Sequence, residues 1–293
     1  MTHTASIAVT EADALRLASV LEDDPVFGGL AVDAVEEMPG RWRMTLYLAG
    51  APDAEFAARL AATARAALGP EAPAFAFAPL PDADWVAKSL EGLKPVRAGR
   101  FLVHGGHDRD KRRPNDIGIE IEAGEAFGTG HHGTTAGCLL AIERTIRSRP
   151  IRNALDIGTG SGVLAIAIAK LAHVPVLASD IDPVAARVAS ANVRLNGAGS
   201  EVRVMTAAGI ARRVFADCGP YDLIVANILA GPLVALAPSI RRRLAPGGTV
   251  ILSGLTASQC ARVVSAYRTA GLRLERTETR DDWAILTLTL RPA

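Results

Sequence analysis

The sequence has few of the residues on which several common classes of protein depend. Only three of its 293 residues are cysteines. Cys138, Cys218 and Cys260 are isolated, without the C-x-x-C spacing of a zinc or redox site, so they predict neither a metal nor a disulfide framework. Such cysteines are typical of a reducing compartment, and we expect a cytoplasmic location. No secretion signal opens the chain and no uncharged apolar stretch approaches the roughly 18 residues of a membrane span, so we expect no membrane partner.

Histidines and aromatic residues are also sparse, which argues against two further kinds of site. Of the six histidines, His104, His107, His131 and His132 have a spacing that fits no compact ligand set, so we expect no metal. Aromatic residues make up 4% of the chain, and none is interleaved with the arginines of the charged stretch 104–116. That stretch is interpreted as a solvated loop, and no direct nucleic-acid binding is required.

Charge is unevenly distributed along the chain, although the formal net charge is only +1. Residues 1–80 contain eleven acidic residues against five arginines, a net charge of −6, so the remainder carries +7. The acidic first segment is suited to binding a cationic partner. The alternative is that its acidic residues only form a solvated surface without a binding role.

A glycine-rich turn is the strongest motif. Residues 154–162 read Ala-Leu-Asp-Ile-Gly-Thr-Gly-Ser-Gly, an apolar run followed by three glycines at alternate positions, and an apolar helix pattern comes next. A strand, a tight turn and a helix N-terminus in this order let backbone approach a ligand closely. A second predicted strand ends in Asp180, 22 residues after Gly158, where a carboxylate suits a ribose diol. The pattern predicts a nucleoside-containing cofactor, with a purely structural turn as the alternative.

The spacing of the glycines distinguishes between two such cofactors. A dinucleotide fingerprint has its third glycine five residues after the first, whereas Gly162 follows Gly158 by four residues, and Asp156 precedes the loop. This arrangement resembles motif I of the class I S-adenosylmethionine-dependent methyltransferases. It disfavours an NAD-dependent oxidoreductase, which would share the same sheet.

The first 80 residues alternate in a βαββαβ order that is typical of a small ferredoxin-like α+β sandwich. The predicted strands span 6–10, 30–35, 42–48 and 74–78, and the predicted helices span 11–22 and 53–68. Pro79-Leu80-Pro81 ends this pattern. A connector is predicted over 81–116, with a short helix at 82–90, an extended stretch at 94–103 and then the charged loop.

From 117 to 293, strands and helices alternate as in an α/β domain with a parallel sheet. The predicted strands span 154–156, 176–180, 203–206, 223–226 and 249–252, and the predicted helices span 163–171, 183–195, 233–244 and 257–270. Two adjacent strands, 272–279 and 283–290, close the chain as a hairpin. The pattern resembles the Rossmann-like, seven-stranded sheet of class I methyltransferases.

Three polar residues are predicted to meet at one edge of this sheet. Ligands of open α/β sheets bind beyond the carboxyl ends of the strands. Asp156, Asp180 and Asn227 each stand at the carboxyl end of a predicted parallel strand. We therefore expect them to line one cleft although they are far apart in the chain.

Four segments that occur in order give the chain a specific family resemblance. They are Phe127–Thr135, Leu155–Gly162, Ser179–Pro183 and Ala226–Ala230. Together they resemble the PrmA family, the methyltransferase of large-subunit ribosomal protein eleven, and Lys94–His104 is similar to the connector of that family. The resemblance implies a ferredoxin-like substrate-recognition domain at 1–80, joined by the connector to an S-adenosylmethionine-dependent methyltransferase domain at 117–293.

The resemblance also assigns cofactor contacts. They are Thr135, Gly158, Asp180 and Asn227, with Gly160 in the same loop, and with Phe127, Gly128 and Thr129 in a segment that would cover the cofactor. The sequence departs from the family at His131-His132-Gly133, where the family usually has Thr-His-Pro. Gly133 makes that segment more flexible than proline would.

The implied reaction is direct transfer of a methyl group from S-adenosylmethionine to an amine of a protein, either a lysine side chain or the N-terminus. A lysine amine with its ordinary pKa of about 10.4 must lose a proton before it attacks. The Asn227 amide oxygen is predicted to accept an amine hydrogen bond and to aim the lone pair, which makes Asn227 the candidate catalytic residue. The alternative is an asparagine that caps the next helix.

The sequence leaves the substrate open. The resemblance implies a basic ribosomal protein as substrate, large-subunit protein eleven. We expect the enzyme to be a monomer. A protein-lysine methyltransferase of the same fold that acts on a different protein is the main alternative. A non-catalytic assembly factor that retains the fold is a further one, disfavoured by the intact Thr135, Asp180 and Asn227.

Overall fold

A computed structural model describes residues 3–291 except 25, 28–29, 39, 49, 80–94, 122–132 and 281. The chain divides into two compact units, Met1–Trp85 and Val86–Ala293. Each unit has its own hydrophobic core.

The first unit is a four-stranded antiparallel sheet with two helices. Its elements are β1 (His3–Val9), α1 (Glu11–Asp23), β2 (Ala31–Met38), β3 (Arg41–Leu48), α2 (Ala54–Leu68) and β4 (Ala76–Pro79). The strand order β2-β3-β1-β4 is that of a ferredoxin-like sandwich. The predicted βαββαβ order is therefore confirmed, with element limits that differ by up to three residues.

Sequence pattern and capping explain why these elements form. Along β1, every second side chain is buried, namely Ala5, Ile7 and Val9, as expected of a sheet with one covered face. The side chain of Thr10 accepts a hydrogen bond from the third residue of α1. Asp53 does the same for α2, so each helix begins where a side chain satisfies a free backbone N–H.

The second unit contains the predicted α/β sheet. Its elements are β5 (Val96–Ala98), β6 (Phe101–His104), a 3-10 helix (Gly106–Lys111), β7 (Ile117–Glu120), α3 (Gly133–Ser148), β8 (Ala154–Ile157), α4 (Val163–Ala172), β9 (Val176–Asp180), α5 (Pro183–Leu195), β10 (Val202–Thr206), α6 (Arg213–Asp217), β11 (Tyr221–Asn227), α7 (Ala230–Arg243), β12 (Leu244–Thr256), a second 3-10 helix (Ala257–Gln259), α8 (Cys260–Thr269), β13 (Leu272–Arg280) and β14 (Trp283–Leu290).

Seven strands form the main sheet in the order β10-β9-β8-β11-β12-β14-β13. The first five are parallel, and β14 runs antiparallel to both of its neighbours. The prediction of parallel strands closed by a C-terminal hairpin is confirmed. The order reverses between β8 and β11, and in an open α/β sheet this is where a ligand crevice forms.

The segment assigned to a connector contributes structure to the second unit. Strands β5, β6 and β7 form a separate three-stranded sheet, in which Phe101 and Val103 belong to the same core as α3 and α4. In the predicted charged loop, Lys111 pairs with Asp108 at 2.7 Å and Arg109 pairs with Glu120. These charges largely neutralise one another. The short helix predicted at 82–90 lies outside the described residues, and the domain limits 1–80, 81–116 and 117–293 stay a prediction.

Candidate active site

Three strand ends position the candidate site. Ile157, the last residue of β8, pairs with β9 on one side and β11 on the other. The next residue, Gly158, is therefore level with Asp180 and Asn227, the last residues of those two strands. Neighbouring strands lie about 4.8 Å apart. The glycine loop thus leaves the sheet between a carboxylate and an amide, as the sequence predicted.

The loop between β8 and α4 requires glycine at its alternate positions. Gly158, Gly160 and Gly162 have φ values of +68°, +53° and +85°, a region that residues with a Cβ rarely adopt. A Cβ at Gly158 would also lie 2.2 Å from the Ile228 side chain. The loop can therefore bring bare backbone to the rim of the crevice.

Asp180 holds this loop against β9. Its Oδ2 accepts a hydrogen bond of 2.8 Å from the backbone N–H of Gly160. Its Oδ1 accepts one of 3.0 Å from the N–H of Asp182. The carboxylate is half-buried, and each of its oxygens keeps a free acceptor position. A carboxylate held in this way suits a vicinal diol.

Asp156 lies beneath the loop and is almost fully buried. Its Oδ2 accepts hydrogen bonds from the Thr159 hydroxyl at 2.6 Å and from the Ala165 N–H at 3.2 Å. Its Oδ1 has no hydrogen-bond partner among the described residues. Burial raises the pKa of this carboxyl to about 7, against the lowering effect of those two hydrogen bonds.

This buried carboxyl makes the stability of the ligand-free protein depend on pH. Since the pKa rises from 3.8 to about 7 on folding, the contribution of Asp156 is fully present below pH 4 and is lost as pH rises through 7. The loss is of the order of 4 kcal/mol. We expect the Asp156→Asn variant, which cannot ionise, to lose much less stability between pH 5 and pH 8. Urea unfolding across this range measures the difference, and parallel pH profiles for the two proteins would contradict it.

Asn227 faces the N-terminus of α3. Its Nδ2 donates a long hydrogen bond of 3.4 Å to the Thr134 hydroxyl, and its Oδ1 accepts none from the residues that the structure describes. Helix α7 begins after Leu229, with no side-chain cap. The alternative that Asn227 caps the next helix is therefore wrong, and its amide oxygen is available to a ligand.

Thr135 lies in the first turn of α3 and is buried. It follows Thr134, the residue that contacts Asn227, so the first turn of α3 lies beside the end of β11, and the role of Thr135 itself stays a prediction. The family resemblance identified Thr135 but not Thr134, which contacts Asn227, or Ile228, which lies beside Gly158. No local sequence pattern indicates either of these two contacts. Phe127, Gly128 and Thr129 lie outside the described residues, and their role stays a prediction.

Neither a metal site nor a membrane-spanning helix occurs in the described part of the chain. No group of three or more His, Cys, Asp or Glu residues there is close enough together to bind a metal ion. No helix there is long and apolar enough to cross a bilayer.

The sequence is similar to that of named proteins along nearly its whole length. It is 52% identical over 285 residues to a ribosomal protein L11 methyltransferase from Rhizobium leguminosarum bv. trifolii, covering 96% of each chain. It is also 52% identical over 288 residues to the protein of the same name from Agrobacterium fabrum, covering 96% of this chain and 97% of that one.

The structure is similar to a crystal structure described as a ribosomal protein L11 methylase from Lactobacillus delbrueckii subsp. bulgaricus. The TM-score is 0.59 at 30% sequence identity, over 67% of this chain and 98% of that chain. A family model described as ribosomal protein L11 methyltransferase (PrmA) matches residues 4–291. The chain therefore belongs to the PrmA family of class I methyltransferases, as the sequence motifs indicated.

Proposed function

We propose that this protein transfers methyl groups from S-adenosylmethionine to amino groups of ribosomal protein L11, on lysine side chains, the N-terminal amine or both. The names of its relatives favour this substrate. The observation that carries the proposal is the alignment of Gly158 between Asp180 and Asn227 at the carboxyl ends of β8, β9 and β11. One crevice therefore contains a glycine loop that a ligand can approach closely, a carboxylate that can accept hydrogen bonds from a diol, and an uncharged amide that can accept one from an amine.

The described residues fit the cofactor in three respects. The Asp180 carboxylate, which already bonds Gly160, suits the ribose hydroxyls. The unpartnered Oδ1 of Asp156 suits a positively charged group beside the loop. Gly158, whose positive φ favours glycine, brings backbone without a Cβ to the end of β8. Thr135 and Asn227 complete the proposed contacts on the opposite side, and Phe127, Gly128 and Thr129 are proposed to cover the cofactor.

When bound, S-adenosylmethionine supplies an electrophilic methyl group, so the protein mainly has to orient the nucleophile and exclude water. Asn227 is proposed to accept a hydrogen bond from the substrate amine through its Oδ1. A neutral acceptor favours the uncharged amine, because its attraction for an ammonium group is weaker than that of a carboxylate. An amine held in this way directs its lone pair into the crevice.

The first unit is proposed to bind the substrate through its charge. Its net charge is −6, and its exposed acidic residues include Glu11, Asp53, Glu55 and Glu71. A basic ribosomal protein would be attracted by such a surface, and the attraction would weaken as salt is added. We place the reaction in the cytoplasm and assign it to a monomer.

The substrate assignment is tested by labelling. Unmethylated L11 and a second basic ribosomal protein of similar size and charge are each incubated with the enzyme and S-adenosylmethionine that carries a labelled methyl group. We expect L11 to be labelled at least about a hundredfold faster, and L11 whose amines have been acetylated to remain unlabelled. Equal labelling of the two proteins would favour a methyltransferase of the same fold with another substrate. Label in acetylated L11 would contradict an amine nucleophile.

A further inference from the structure

A second concave site lies at the opposite end of α3 from Asn227. It is a groove of about 420 Å³ between the C-terminal part of α3 and strands β13 and β14. Its lining consists of Arg144, Thr145, Ser148, Arg149, Arg273, Leu274, Glu275, Arg276 and Thr287. Thr145 follows Thr134 by eleven residues on α3, and a helix rises 1.5 Å per residue. The groove therefore lies about 16 Å from the amide at the candidate active site and is separate from it.

The groove is strongly basic, because four guanidinium groups line it. Glu275 is only loosely paired with two of these arginines. It lies 3.6 Å from Arg149 and 3.9 Å from Arg273. Such distances exceed those of a good charge-assisted hydrogen bond. A better acceptor in the groove would therefore attract the Arg273 guanidinium and the remaining donors of Arg149, whose Nη1 already donates to the Gly247 carbonyl.

The other two arginines differ in their partners. Arg144 forms a two-pronged pair with Glu278 on β13, at 2.7 and 2.9 Å, which neutralises it and fixes its position. The side chain of Arg276 is exposed, and it forms no hydrogen bond or ion pair with the residues that the structure describes. When Glu278 is included, the wall of the groove has two more positive than negative charges.

A buried hydroxyl without a partner lies in the same wall. Thr287 is only 8% exposed, and its Oγ1 makes no hydrogen bond to the described residues. It is paired across the strands with Arg276. Since buried polar atoms are normally hydrogen-bonded, this hydroxyl has unused capacity for a donor or acceptor bound in the groove.

A β-bulge in β13 explains how these side chains share one wall. The register of β13 against β14 shifts between Leu274 and Arg276. Side chains of a regular strand alternate between the two faces, but a bulge turns consecutive side chains toward the same side. Glu275 and Arg276 therefore both reach the groove.

We propose that this groove binds a small molecule that carries two or more phosphate groups. Planar guanidinium groups suit the paired oxygens of a phosphate, and hydroxyl groups from Thr287, Thr145 and Ser148 can add hydrogen bonds. The excess of positive charge matches a dianion or trianion. The volume is that of a site for a small ligand rather than an extended surface, which favours a free phosphorylated compound over the backbone of a nucleic acid.

Calorimetric titration with inorganic pyrophosphate at low ionic strength tests this proposal. We expect saturable binding to the wild-type protein, and binding about tenfold weaker or more in the Arg273→Gln/Arg276→Gln variant, because two charged donors are lost. The matched control is Arg194→Gln/Arg203→Gln, which removes the same charge from exposed positions on α5 and β10. The control should bind pyrophosphate like the wild type, and both variants should retain their affinity for S-adenosylmethionine.

A second variant separates binding from folding. Thr287→Val removes the unpartnered hydroxyl at nearly constant shape, so it should weaken pyrophosphate binding without reducing the free energy of unfolding. Absence of pyrophosphate binding by the wild type at millimolar concentration would overturn the proposal, and so would equal weakening in the Arg194/Arg203 control. Binding of a short RNA oligonucleotide without binding of pyrophosphate would also overturn it, in favour of a nucleic-acid backbone.

Discussion

Replacing Asp180 by alanine is expected to weaken S-adenosylmethionine binding by about a hundredfold or more. The substitution removes the proposed acceptor for both ribose hydroxyls, and hydrogen bonds to a charged group contribute about 1.5–3 kcal/mol each. It also leaves the N–H of Gly160 without the partner that fixes the loop. Calorimetric titration with S-adenosylmethionine and S-adenosylhomocysteine measures the effect.

Asp182→Ala is the matched control for this experiment. Asp182 is exposed, and its side chain caps α5 by accepting a 2.8 Å hydrogen bond from the Val184 N–H. Its loss should cost about 1 kcal/mol of stability and leave the cofactor affinity within a fewfold range of the wild type. If the Asp180 variant bound the cofactor as tightly as the Asp182 variant, the ribose assignment would be wrong.

Replacing Asn227 by alanine is expected to lower kcat by about a hundredfold, because an acceptor that aims the substrate amine is lost and the reacting atoms are misplaced. The Nδ2 contact with Thr134 is long, at 3.4 Å, so its loss alone should reduce stability only slightly. Steady-state rates with L11 as substrate and a calorimetric measurement of cofactor affinity separate the catalytic effect from a binding effect.

Asn153→Ala controls for the loss of a structural amide. Asn153 precedes β8 at the other end of the sheet, where its Nδ2 donates to the carbonyls of Cys218 and Pro220. This variant should lose stability but keep its kcat at temperatures where it stays folded. Normal turnover in the Asn227 variant, together with normal cofactor affinity, would remove Asn227 from the mechanism.

The sequence was sufficient to predict the parts of the fold that depend on local rules. The βαββαβ order of the first unit was predicted, the spacing of the glycines predicted the turn after β8, and the helix predicted at 183–195 has the same limits as α5. Because parallel strands end at the same edge of a sheet, the sequence also predicted that one cleft contains Asp156, Asp180 and Asn227. The topology of a parallel sheet thus allowed local sequence patterns to predict which residues, far apart in the chain, lie close together.

Features that depend on packing were not predicted. Helix α6 has only five residues, too few for a periodic pattern, and the helix predicted at 257–270 begins as a 3-10 turn before α8. Strand β12 is much longer than the predicted 249–252, because Leu244 still pairs with Tyr221 beyond the two glycines. No helix was predicted at α3, although its first turn contains Thr135.

Side-chain environments in the site also required the structure. The family resemblance identified Thr135 and Asn227, but only the structure showed that the amide of Asn227 contacts Thr134 and leaves α7 uncapped. The sequence placed Asp156 at a strand end, but only burial shows that it has a raised pKa and an unpartnered oxygen. A sequence pattern gives the type of a residue but not the polarity of its surroundings.

A crystal structure of the protein with S-adenosylhomocysteine tests the account most directly. We predict that the ribose hydroxyls lie within hydrogen-bond distance of the Asp180 carboxylate, that the amino-acid part lies beside Gly158 on the side of Asp156, and that the sulfur faces the Asn227 amide. A ligand bound away from the carboxyl ends of β8, β9 and β11 would contradict the proposed site.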